Sequence, residues 1–377
     1  MSVKTIGARI VFFIFFLTIY ILGNAYIVYR IVHDLQLRAT ALIIFVTFYL
    51  IITFLSVYSF KMSRFNEPTM YTKVLTEIGY IWLGTFSIAL TYLLLSHLAF
   101  VFGHTPKFKY NTTLITAILI VVSAVYSVIN TLGEPKVTEI EIPVPNLPVN
   151  KLTIVQLADI HIDVTTKYDT IKRIVEITNS LNPDLIAFVG DLADTDITNT
   201  YEKYGLSKFK SKYGTFAVSG NHEYYRGITS YEDVCEKLNF NLLNNENVLV
   251  DDKFYIAGIT DPTSIAANYK PLNVAKSLQN VDFNKPVIFL SHQPNPFFES
   301  QKYPITIQLS GHTHAGQIPP FDIIEYFLYK YFCGLYKEVY PNYTSYIYVT
   351  AGTRWWGPPM RLFSKSEIVK ITLLKNS

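Results

Sequence analysis

The sequence predicts a protein of two parts, an N-terminal four-helix transmembrane region followed by an α/β domain. Long apolar runs are confined to residues 1–132, whereas the rest of the chain alternates short apolar strands with amphipathic helices. Hydrophobic residues make up 50% of the chain and charged residues only 16%, and the mean hydropathy is +0.24. These values are too apolar for an ordinary soluble protein and too polar for one that lies wholly in a membrane.

Four apolar stretches are long enough to cross a bilayer, whose hydrocarbon core takes about 20 apolar residues. Short polar links separate them, and tyrosines near their ends, such as Tyr29 and Tyr58, fit an interfacial aromatic belt. A cleaved signal peptide is the alternative for the first stretch, which is too long for a typical one. Burial of all four in a soluble domain is the other alternative. The predicted spans are residues 10–32, 39–60, 78–102 and 112–132.

Basic residues beside the spans bear on the side of the membrane that the C-terminal domain occupies. One side has Lys4, Arg9, Lys61, Arg64, Lys73 and Lys136, and the other has Arg30, Arg38, Lys107 and Lys109. This small excess favours a cytoplasmic N terminus by the positive-inside rule. Since four spans return the chain to its starting side, we expect the C-terminal domain to face the cytoplasm.

Changes of composition divide the chain into three segments. Residues 1–133 form the transmembrane region, residues 134–150 a Pro-rich linker that begins as an edge strand, and residues 151–377 the α/β domain. In that domain the predicted strands are residues 152–157, 185–189, 215–218, 254–259, 287–290, 305–309, 346–349 and 368–374, and the predicted helices are residues 168–181, 200–212 and 231–238.

Charge and cysteine content exclude some classes of function. The formal net charge is only +3 and no dense Lys/Arg cluster occurs, so no nucleic-acid partner is expected. Cys235 and Cys333 form no spacing motif and predict no disulfide framework. Polar pairs within the predicted spans are scarce in the sequence, which argues against a transporter or receptor in which the spans carry the activity.

Polar side chains follow five of the predicted strands, where each strand ends. In an α/β fold such loops are the usual position of a ligand site. Together they offer carboxylate and amide oxygens with imidazole nitrogens and no thiolate, a set that suits two divalent cations. Two adjacent cations are a standard device for cleaving phosphate esters. The motifs are Asp159 and His161; Gly190, Asp191 and Asp194; Gly220, Asn221, His222 and Glu223; Ser291 and His292; and Gly311, His312 and His314.

Each motif also has an ordinary structural explanation. Asp191 could cap a helix or a turn, and the motif at Gly220 could be a plain turn that needs a flexible glycine. A single histidine at a strand end, such as His292, is usually structural. His312 and His314 are the most specific local signal, because two histidines at this spacing present parallel imidazoles. The ordered occurrence of all five motifs at strand ends favours a metal site.

From about residue 152 to the C terminus, these ordered motifs resemble the calcineurin-like metallophosphoesterase superfamily, and within it the bacterial membrane-attached phosphodiesterase branch. That branch typically has a G-H-T-H-G-G-Q-I string and a late Gly-x-x-x-W…P-x-R segment, which residues 311–318 and 352–361 match closely. Ala315 replaces the usual glycine and would strain the backbone by about 1 kcal/mol if φ is positive there. The resemblance implies a two-sheet αββα sandwich with the metals at one edge.

The resemblance also implies a role for each motif residue. Asp159, His161 and His314 would hold the first metal; Asn221, His292 and His312 would hold the second; and Asp191 would bridge both. His222 would stay outside the coordination and act as a general acid, oriented by Asp194. The two divalent cations could be Mn, Fe or Zn, since all suit these ligands. Arg354 or Arg361 would bind a phosphoryl oxygen or be a surface or salt-bridged arginine.

The expected function is that of a membrane-anchored, metal-dependent phosphoric ester hydrolase acting on phosphodiester or pyrophosphate bonds. The aromatic residues 321–346 follow His314 and form either a lid packed on the domain or an apolar surface that meets the bilayer or an acyl chain. The second interpretation favours a lipid-linked substrate, such as UDP-2,3-diacylglucosamine in a bacterial inner membrane. The alternatives are a general phospholipid phosphodiesterase and a non-catalytic, regulatory membrane protein with a phosphoesterase-like domain.

Overall fold

The computed structural model describes residues 3–63 and 69–375, with side chains from residue 14 onward. These described residues divide into two compact units. The helical unit comprises Met1–Gly133, Gln317–Ile323 and Gly357–Phe363, and the α/β unit comprises Glu134–Gly316, Ile324–Trp356 and Ser364–Ser377.

Long helices build the helical unit, and polar residues determine where two of them begin. Their bounds are α1 (Val3–Asp34), α2 (Ala39–Met62), α3 (Met70–Leu98) and α4 (Pro106–Ile129). The Thr69 hydroxyl accepts the Thr72 N–H at 3.2 Å, and the Thr105 hydroxyl accepts the Phe108 N–H at 3.2 Å. Each threonine therefore caps a free N–H group in the first turn of its helix.

Within the described residues, four stretches are long and apolar enough to cross a membrane, Ile14–Asp34, Ala39–Met62, Met70–Val101 and Pro106–Ile129. The predicted four-helix region is therefore confirmed. The third and fourth stretches begin earlier than predicted, because their helices continue through polar residues back to the threonine caps. Of the basic residues in the orientation argument, Lys4, Arg9 and Arg64 have side chains outside the described residues.

A buried ion pair ties α1 to α3 and α4. Arg30 Nε donates to Asp34 Oδ2 at 2.7 Å, and both side chains are buried. The same guanidinium donates to the Leu93 carbonyl on α3 at 3.1 Å and to Thr113 Oγ1 on α4 at 3.0 Å. The expected scarcity of polar pairs in the spans is therefore wrong at this position. The sequence does not single out Arg30 and Asp34 as a pair within the span, because both residues lie where the first apolar stretch ends.

Two segments from the later chain pack inside the helical unit. Ser87 Oγ on α3 donates to the Pro319 carbonyl at 2.6 Å, and Asn130 Nδ2, after α4, donates to the Arg361 carbonyl at 3.0 Å. An apolar cluster is formed by Ile88, Ile318, Met360 and Leu362. The helices thus bury segments that lie shortly after His314 and Trp356 in the sequence.

The later elements are, in chain order, β1 (Lys136–Val144), β2 (Lys151–Leu157), α5 (Tyr168–Ser180), β3 (Leu185–Val189), β4 (Thr215–Val218), α6 (Asn221–Arg226), α7 (Ile228–Lys237), β5 (Asn241–Leu242), β6 (Glu246–Val250), β7 (Phe254–Gly258), α8 (Val274–Ser277), β8 (Val287–Leu290), α9 (Phe297–Ser300), β9 (Ile307–Ser310), α10 (Phe321–Leu328), β10 (Gly334–Val339), β11 (Thr344–Val349) and β12 (Glu367–Lys375).

Across the described α/β unit the strands form two six-stranded sheets, ordered β1-β12-β2-β3-β4-β5 and β10-β11-β9-β8-β7-β6. Strands β2, β3 and β4 are parallel neighbours in the first sheet, and β7, β8 and β9 are parallel neighbours in the second. Loops that follow parallel neighbours leave the sheet at one edge. The predicted edge strand is β1, which pairs with β12.

The two sheets pack face to face, and helices cover their outer faces. Ile154 of β2 and Leu309 of β9 belong to one buried cluster between the sheets. Ile174 of α5 packs in a cluster on the outer face of the first sheet, and Phe297 of α9 packs in one on the second. Burying each such side chain contributes about 1.5–3 kcal/mol. The predicted αββα sandwich is confirmed.

The prediction of a helix at residues 200–212 is wrong. That stretch contains the short 3-10 turn Leu206–Lys208, preceded by Gly205 in the left-handed region at φ 75°. A glycine in that conformation ends regular helical geometry. The sequence also gave no sign of β6 and β10, which pair antiparallel with β7 and β11. Both are edge strands with few buried residues.

Helix α10 is an apolar helix with most of its side chains exposed. Phe327 is 79% exposed, Leu328 68% and Tyr326 65%. Tyr331, just beyond the helix, is instead fully buried and packs edge-on against Phe297, with ring centroids 5.0 Å apart. The aromatic segment therefore comprises an exposed apolar helix followed by a residue of the core.

Candidate metal centre

The predicted site residues follow the ends of five strands, most of them in loops, with Asn221 and His222 in the first turn of α6. Asp159 and His161 follow β2, Asp191 and Asp194 follow β3, Asn221 and His222 follow β4, His292 follows β8, and His312 and His314 follow β9. The structure brings all of these side chains together in one cluster, in which most are buried and Asp194, His222 and His312 are half-buried.

One group of the cluster comprises Asp159, His161 and His314. Nε2 of His161 lies 3.1 Å from Nε2 of His314, and the latter lies 3.5 Å from Oδ1 of Asp159. Their candidate ligand atoms all lie within 4.8 Å of one another. Two ring nitrogens that face each other beside a carboxylate are a fitting donor set for a divalent cation.

A second group comprises Asn221, His292 and His312. Oδ1 of Asn221 lies 3.2 Å from Nε2 of His292 and 3.0 Å from Nδ1 of His312. An amide oxygen and two imidazole nitrogens thus converge on one point. This donor set also fits a divalent cation, since it offers oxygen and nitrogen without thiolate.

Asp191 lies between the two groups. Its Oδ2 is 3.6 Å from Nε2 of His161 in the first group and 3.2 Å from Nε2 of His292 in the second. The carboxylate is almost fully buried. One side chain therefore faces both groups at once.

Hydrogen bonds on the far side of two imidazole rings fix which nitrogen faces the cluster. Nδ1 of His292 lies 2.8 Å from the Val189 carbonyl, which can only accept, so this nitrogen carries the proton. Nδ1 of His161 lies 3.2 Å from Oδ1 of Asp194. Both rings therefore turn Nε2 toward the cluster, the arrangement by which metal-binding histidines are usually oriented.

Burial and neighbouring charges shift the pKa values of the cluster in opposite directions. Burial raises the pKa of Asp159. Burial alone would raise the pKa of Asp191, but the nearby His292 and His222 outweigh burial and hold this pKa well below its usual value. Burial and the nearby His292 lower the pKa of His312 to about 3, which leaves a neutral imidazole able to donate a lone pair.

His222 lies beside the cluster and is held by Asp194. Its Nδ1 is 2.6 Å from Oδ1 of Asp194, and its backbone N–H donates to Oδ1 of Asp191 at 2.9 Å. Burial lowers the pKa of His222, but the carboxylates of Asp191 and Asp194 outweigh burial and raise the pKa to about 9. The protonated ring therefore keeps Nε2–H available as a donor.

The backbone of the cluster is strained. Five of its residues have left-handed φ values, 55° at Asp159, 48° at His161, 55° at Asp191, 75° at His312 and 51° at His314. Non-glycine residues in this region cost about 1–3 kcal/mol each, and they concentrate at functional sites. The following residue, at position 315, is left-handed as well, with φ 49° and ψ 37°. Ala315 therefore has a left-handed backbone conformation, which a glycine at this position would adopt without strain.

Two glycines allow the carboxylates to approach the neighbouring loops. A Cβ at Gly220 would lie 2.1 Å from Oδ1 of Asp191, and a Cβ at Gly311 would lie 2.4 Å from Oδ2 of Asp159. Gly220 has φ −99°, which any residue can adopt. The expectation that it permits a special turn is therefore wrong, and close approach of Asp191 is the reason for the glycine.

Glu223 has a positioning function that the sequence reasoning missed. Its buried carboxylate accepts three backbone N–H groups, from Gly220 at 2.7 Å, Asp191 at 3.0 Å and Leu192 at 2.8 Å. It therefore joins the loop after β3 to the loop after β4. The string Gly-Asn-His-Glu was the available signal, but only its asparagine and histidine have chemistry that points to a metal.

Arg354 is not the surface arginine that was one alternative from the sequence. It is buried, and its guanidinium donates to the carbonyls of Ile160 at 3.0 Å and His161 at 3.2 Å, and to Thr166 Oγ1 at 2.9 Å. It therefore holds the strained loop that carries His161. Arg361 is also fully buried, and it belongs to the helical unit.

Comparison with known proteins agrees with this geometry. The sequence model of the calcineurin-like phosphoesterase family matches residues 152–316. A "transmembrane protein with metallophosphoesterase domain" of Danio rerio is 32% identical over 335 residues, 81% of this chain and 76% of that protein. The protein of the same name in Bos taurus is 36% identical over 277 residues, which are 68% of this chain and 62% of that protein. An uncharacterized metallophosphoesterase of Campylobacter jejuni is 31% identical over 385 residues, 97% and 98% of the two chains.

Proposed function

The chain belongs to the calcineurin-like metallophosphoesterase family, and on that premise we propose that it is a membrane-anchored, two-metal hydrolase of phosphodiester or pyrophosphate bonds. The observation that carries the proposal is the position of Asp191. Its Oδ2 lies 3.6 Å from Nε2 of His161 and 3.2 Å from Nε2 of His292, so it faces two separate donor groups. A single-metal or purely structural cluster has no need of such a shared carboxylate.

The proposed ligands follow from the two groups. Asp159, His161 and His314 would hold one divalent cation, Asn221, His292 and His312 would hold the other, and Asp191 would be shared between the two groups. When bound, a pair of Mn, Fe or Zn ions supplies the activation of water and the stabilisation of charge on the phosphoryl oxygens. Arg354 and Glu223 contribute by fixing the loops that carry these ligands.

The chain's own contribution to bond cleavage is a proton for the leaving group. Hydrolysis forms a bond from a water oxygen to phosphorus and breaks the bond from phosphorus to the leaving oxygen, which must gain a proton unless it is very acidic. His222 donates this proton from Nε2, because Asp194 occupies its Nδ1 at 2.6 Å. The proton released by the attacking water later restores the protonated imidazole.

The proposed substrate is lipid-linked, with UDP-2,3-diacylglucosamine as the specific candidate and a general phospholipid as its rival. The support is the exposed apolar surface of α10, where Phe327 and Leu328 are largely exposed. In a protein with four candidate spans, such a surface is suited to the interfacial region of a bilayer or to an acyl chain. The α/β unit is proposed to face the cytoplasm, on the basis of the basic residues beside the spans.

The test is a substrate panel on the purified full-length protein loaded with Mn²⁺ or Zn²⁺. We expect turnover of a small phosphodiester, such as bis-p-nitrophenyl phosphate, and faster turnover of one lipid-linked substrate. No turnover of any phosphodiester or pyrophosphate with both metals bound would support the non-catalytic alternative. Protease added to intact spheroplasts should leave the α/β unit uncut, whereas cleavage would reverse the orientation.

A further inference from the structure

Two short segments of the helical unit follow residues of the metal centre closely along the chain. Residues 317–323 begin three residues after His314, and residues 357–363 begin three residues after Arg354. We call them the clamped segments. His314 and Arg354 themselves belong to the α/β unit. Because three residues span at most about 10 Å, the path of each clamped segment limits where the residue before it can lie.

Polar side chains of the helical unit fix the backbone of both clamped segments. Three of them donate hydrogen bonds to backbone carbonyls, Ser87 to Pro319 at 2.6 Å, Asn130 to Arg361 at 3.0 Å and Thr131 to Pro359 at 2.9 Å. The first donor lies in α3, and the other two directly follow α4. Since the acceptors are backbone groups, these bonds set the path of the chain itself.

The two clamped segments are also joined to each other. The Leu362 N–H donates to the Gln317 carbonyl at 2.8 Å. Ile318 of one segment and Met360 of the other pack with Ile88 of α3 in one buried cluster. Burying each such side chain contributes about 1.5–3 kcal/mol. A displacement of one segment therefore disturbs the other as well.

The residues before the clamped segments support the group formed by Asp159, His161 and His314. The Arg354 N–H donates to the Asp159 carbonyl at 3.2 Å. Its guanidinium donates to the carbonyls of Ile160 at 3.0 Å and His161 at 3.2 Å. One segment thus follows the residue that holds two members of this group, and the other segment follows the third member.

The group formed by Asn221, His292 and His312 is supported differently at two of its three members. Nδ1 of His292 donates to the Val189 carbonyl at 2.8 Å. Gly220, the residue before Asn221, donates its N–H to the Glu223 carboxylate at 2.7 Å. All of these residues belong to the α/β unit. Loosening the clamped segments should therefore disturb the first group more than the second.

We propose that Ser87, Asn130 and Thr131 are positioning residues of the metal centre, through which the helical unit fixes the group of Asp159, His161 and His314. The inference rests on the proposed function, because it takes the two donor groups as two metal sites. The helices thereby set the affinity of one metal site in addition to anchoring the protein. Repacking of α3 against α4 then changes that affinity.

The test measures Mn²⁺ binding to the full-length protein in detergent. It compares the wild type with a triple variant that lacks the three donors, Ser87→Ala, Asn130→Ala and Thr131→Val. We expect two sites in the wild type, and in the variant one site that binds Mn²⁺ about 10–100-fold more weakly, the usual loss when an outer support of a metal ligand is removed. The other site should keep its affinity. Saturating Mn²⁺ should restore most of the hydrolysis of bis-p-nitrophenyl phosphate.

Single substitutions provide the controls. Ser123→Ala is the matched control, because Ser123 Oγ lies 3.1 Å from Oη of Tyr92 and joins α4 to α3. It should leave both Mn²⁺ affinities unchanged. Ser87→Ala alone should weaken the same site as the triple variant, by a smaller factor. Ser87→Thr retains a hydroxyl donor and should bind Mn²⁺ more tightly than Ser87→Ala.

Ligand substitutions identify the weakened site. On a His292→Ala background, which leaves the first group intact, the triple variant should weaken the remaining site. On a His314→Ala background it should have little further effect, because the first site is already lost. Equal weakening of both sites, or no change in either, would overturn the inference alone. A wild type that does not bind two Mn²⁺ ions would overturn the proposed function and the inference with it.

Discussion

The carboxylate of Asp194 lies 2.6 Å from Nδ1 of His222, and its partner atom is the same oxygen that lies 3.2 Å from Nδ1 of His161. One oxygen thus links a proposed metal ligand to the proposed proton donor. The relationship explains how the imidazole of His222 is kept in a fixed orientation, from which, on the proposed function, its Nε2 would serve the leaving group.

His222→Ala should lower kcat by roughly 100-fold for an alkyl phosphodiester, because the leaving alkoxide then lacks a proton donor. The loss should be much smaller for a p-nitrophenyl ester, whose leaving group needs little assistance. Steady-state kinetics on both substrates measure this difference. Equal losses would show that His222 supports the site instead of donating a proton.

Glu223→Gln should destabilise the protein by about 1–3 kcal/mol, because an amide has one acceptor oxygen where the carboxylate accepts three backbone N–H groups. The thermal unfolding midpoint in detergent should fall, and metal content should fall with it. The control is Glu176→Gln on the exposed face of α5, where the charge pairs with exposed Arg173. Matching midpoints for the two variants would contradict the positioning function of Glu223.

Gly84→Leu should destabilise the helical unit by about 1–3 kcal/mol through overpacking. A Cβ at Gly84 on α3 would lie 2.4 Å from Sδ of Met360 and 3.1 Å from Cβ of Pro358, and Met360 is fully buried. Adding Met360→Ala should recover part of the loss, as measured by unfolding of the detergent-solubilised protein. Gly133→Ala is the control, because a Cβ there meets nothing within 4 Å. If the second substitution fails to recover stability, the segment is not held by this contact.

Replacing Phe327 and Leu328 with Ser should reduce kcat/KM for a long-chain lipid substrate by about tenfold, because the exposed surface of α10 loses two large apolar side chains. Hydrolysis of a small soluble phosphodiester should change little. Assays of the lipid substrate in mixed micelles and of the soluble phosphodiester in water measure the two activities. Tyr331→Ser is the contrasting variant and should impair both activities, because Tyr331 belongs to the core. Parallel losses in the double variant would remove the support for a lipid substrate.

The convergence of the predicted site residues could be foreseen because their signal is local. Each candidate ligand type comes soon after a short apolar strand, and parallel strands bring the segments that follow them together. His312 and His314 illustrate this, since one strand end places both. Glu223 and Arg354 escaped prediction because their partners are backbone groups of other loops, which leave no pattern of side chains in the sequence.

The contacts of the helical unit could not be predicted for a related reason. The hydrogen bond from Ser87 to Pro319 joins residues far apart in the chain, and neither belongs to a motif. Arg30 and Asp34 stand where the first apolar stretch ends, and only the structure shows that they form a buried pair and that both make hydrogen bonds with Thr113 on α4. Hydropathy detects how apolar a helix is, but it carries no information about which polar groups find partners in three dimensions.

The most direct test of the two-metal account is metal content measured by mass spectrometry on the full-length protein and on Asp191→Asn. The wild type should bind two divalent ions per chain, and the variant should bind fewer and lose hydrolysis, because the substitution removes the charge that both donor groups face. Asp196→Asn, at an exposed position in the same loop, should behave like the wild type. Full metal occupancy and wild-type turnover in Asp191→Asn would contradict the account.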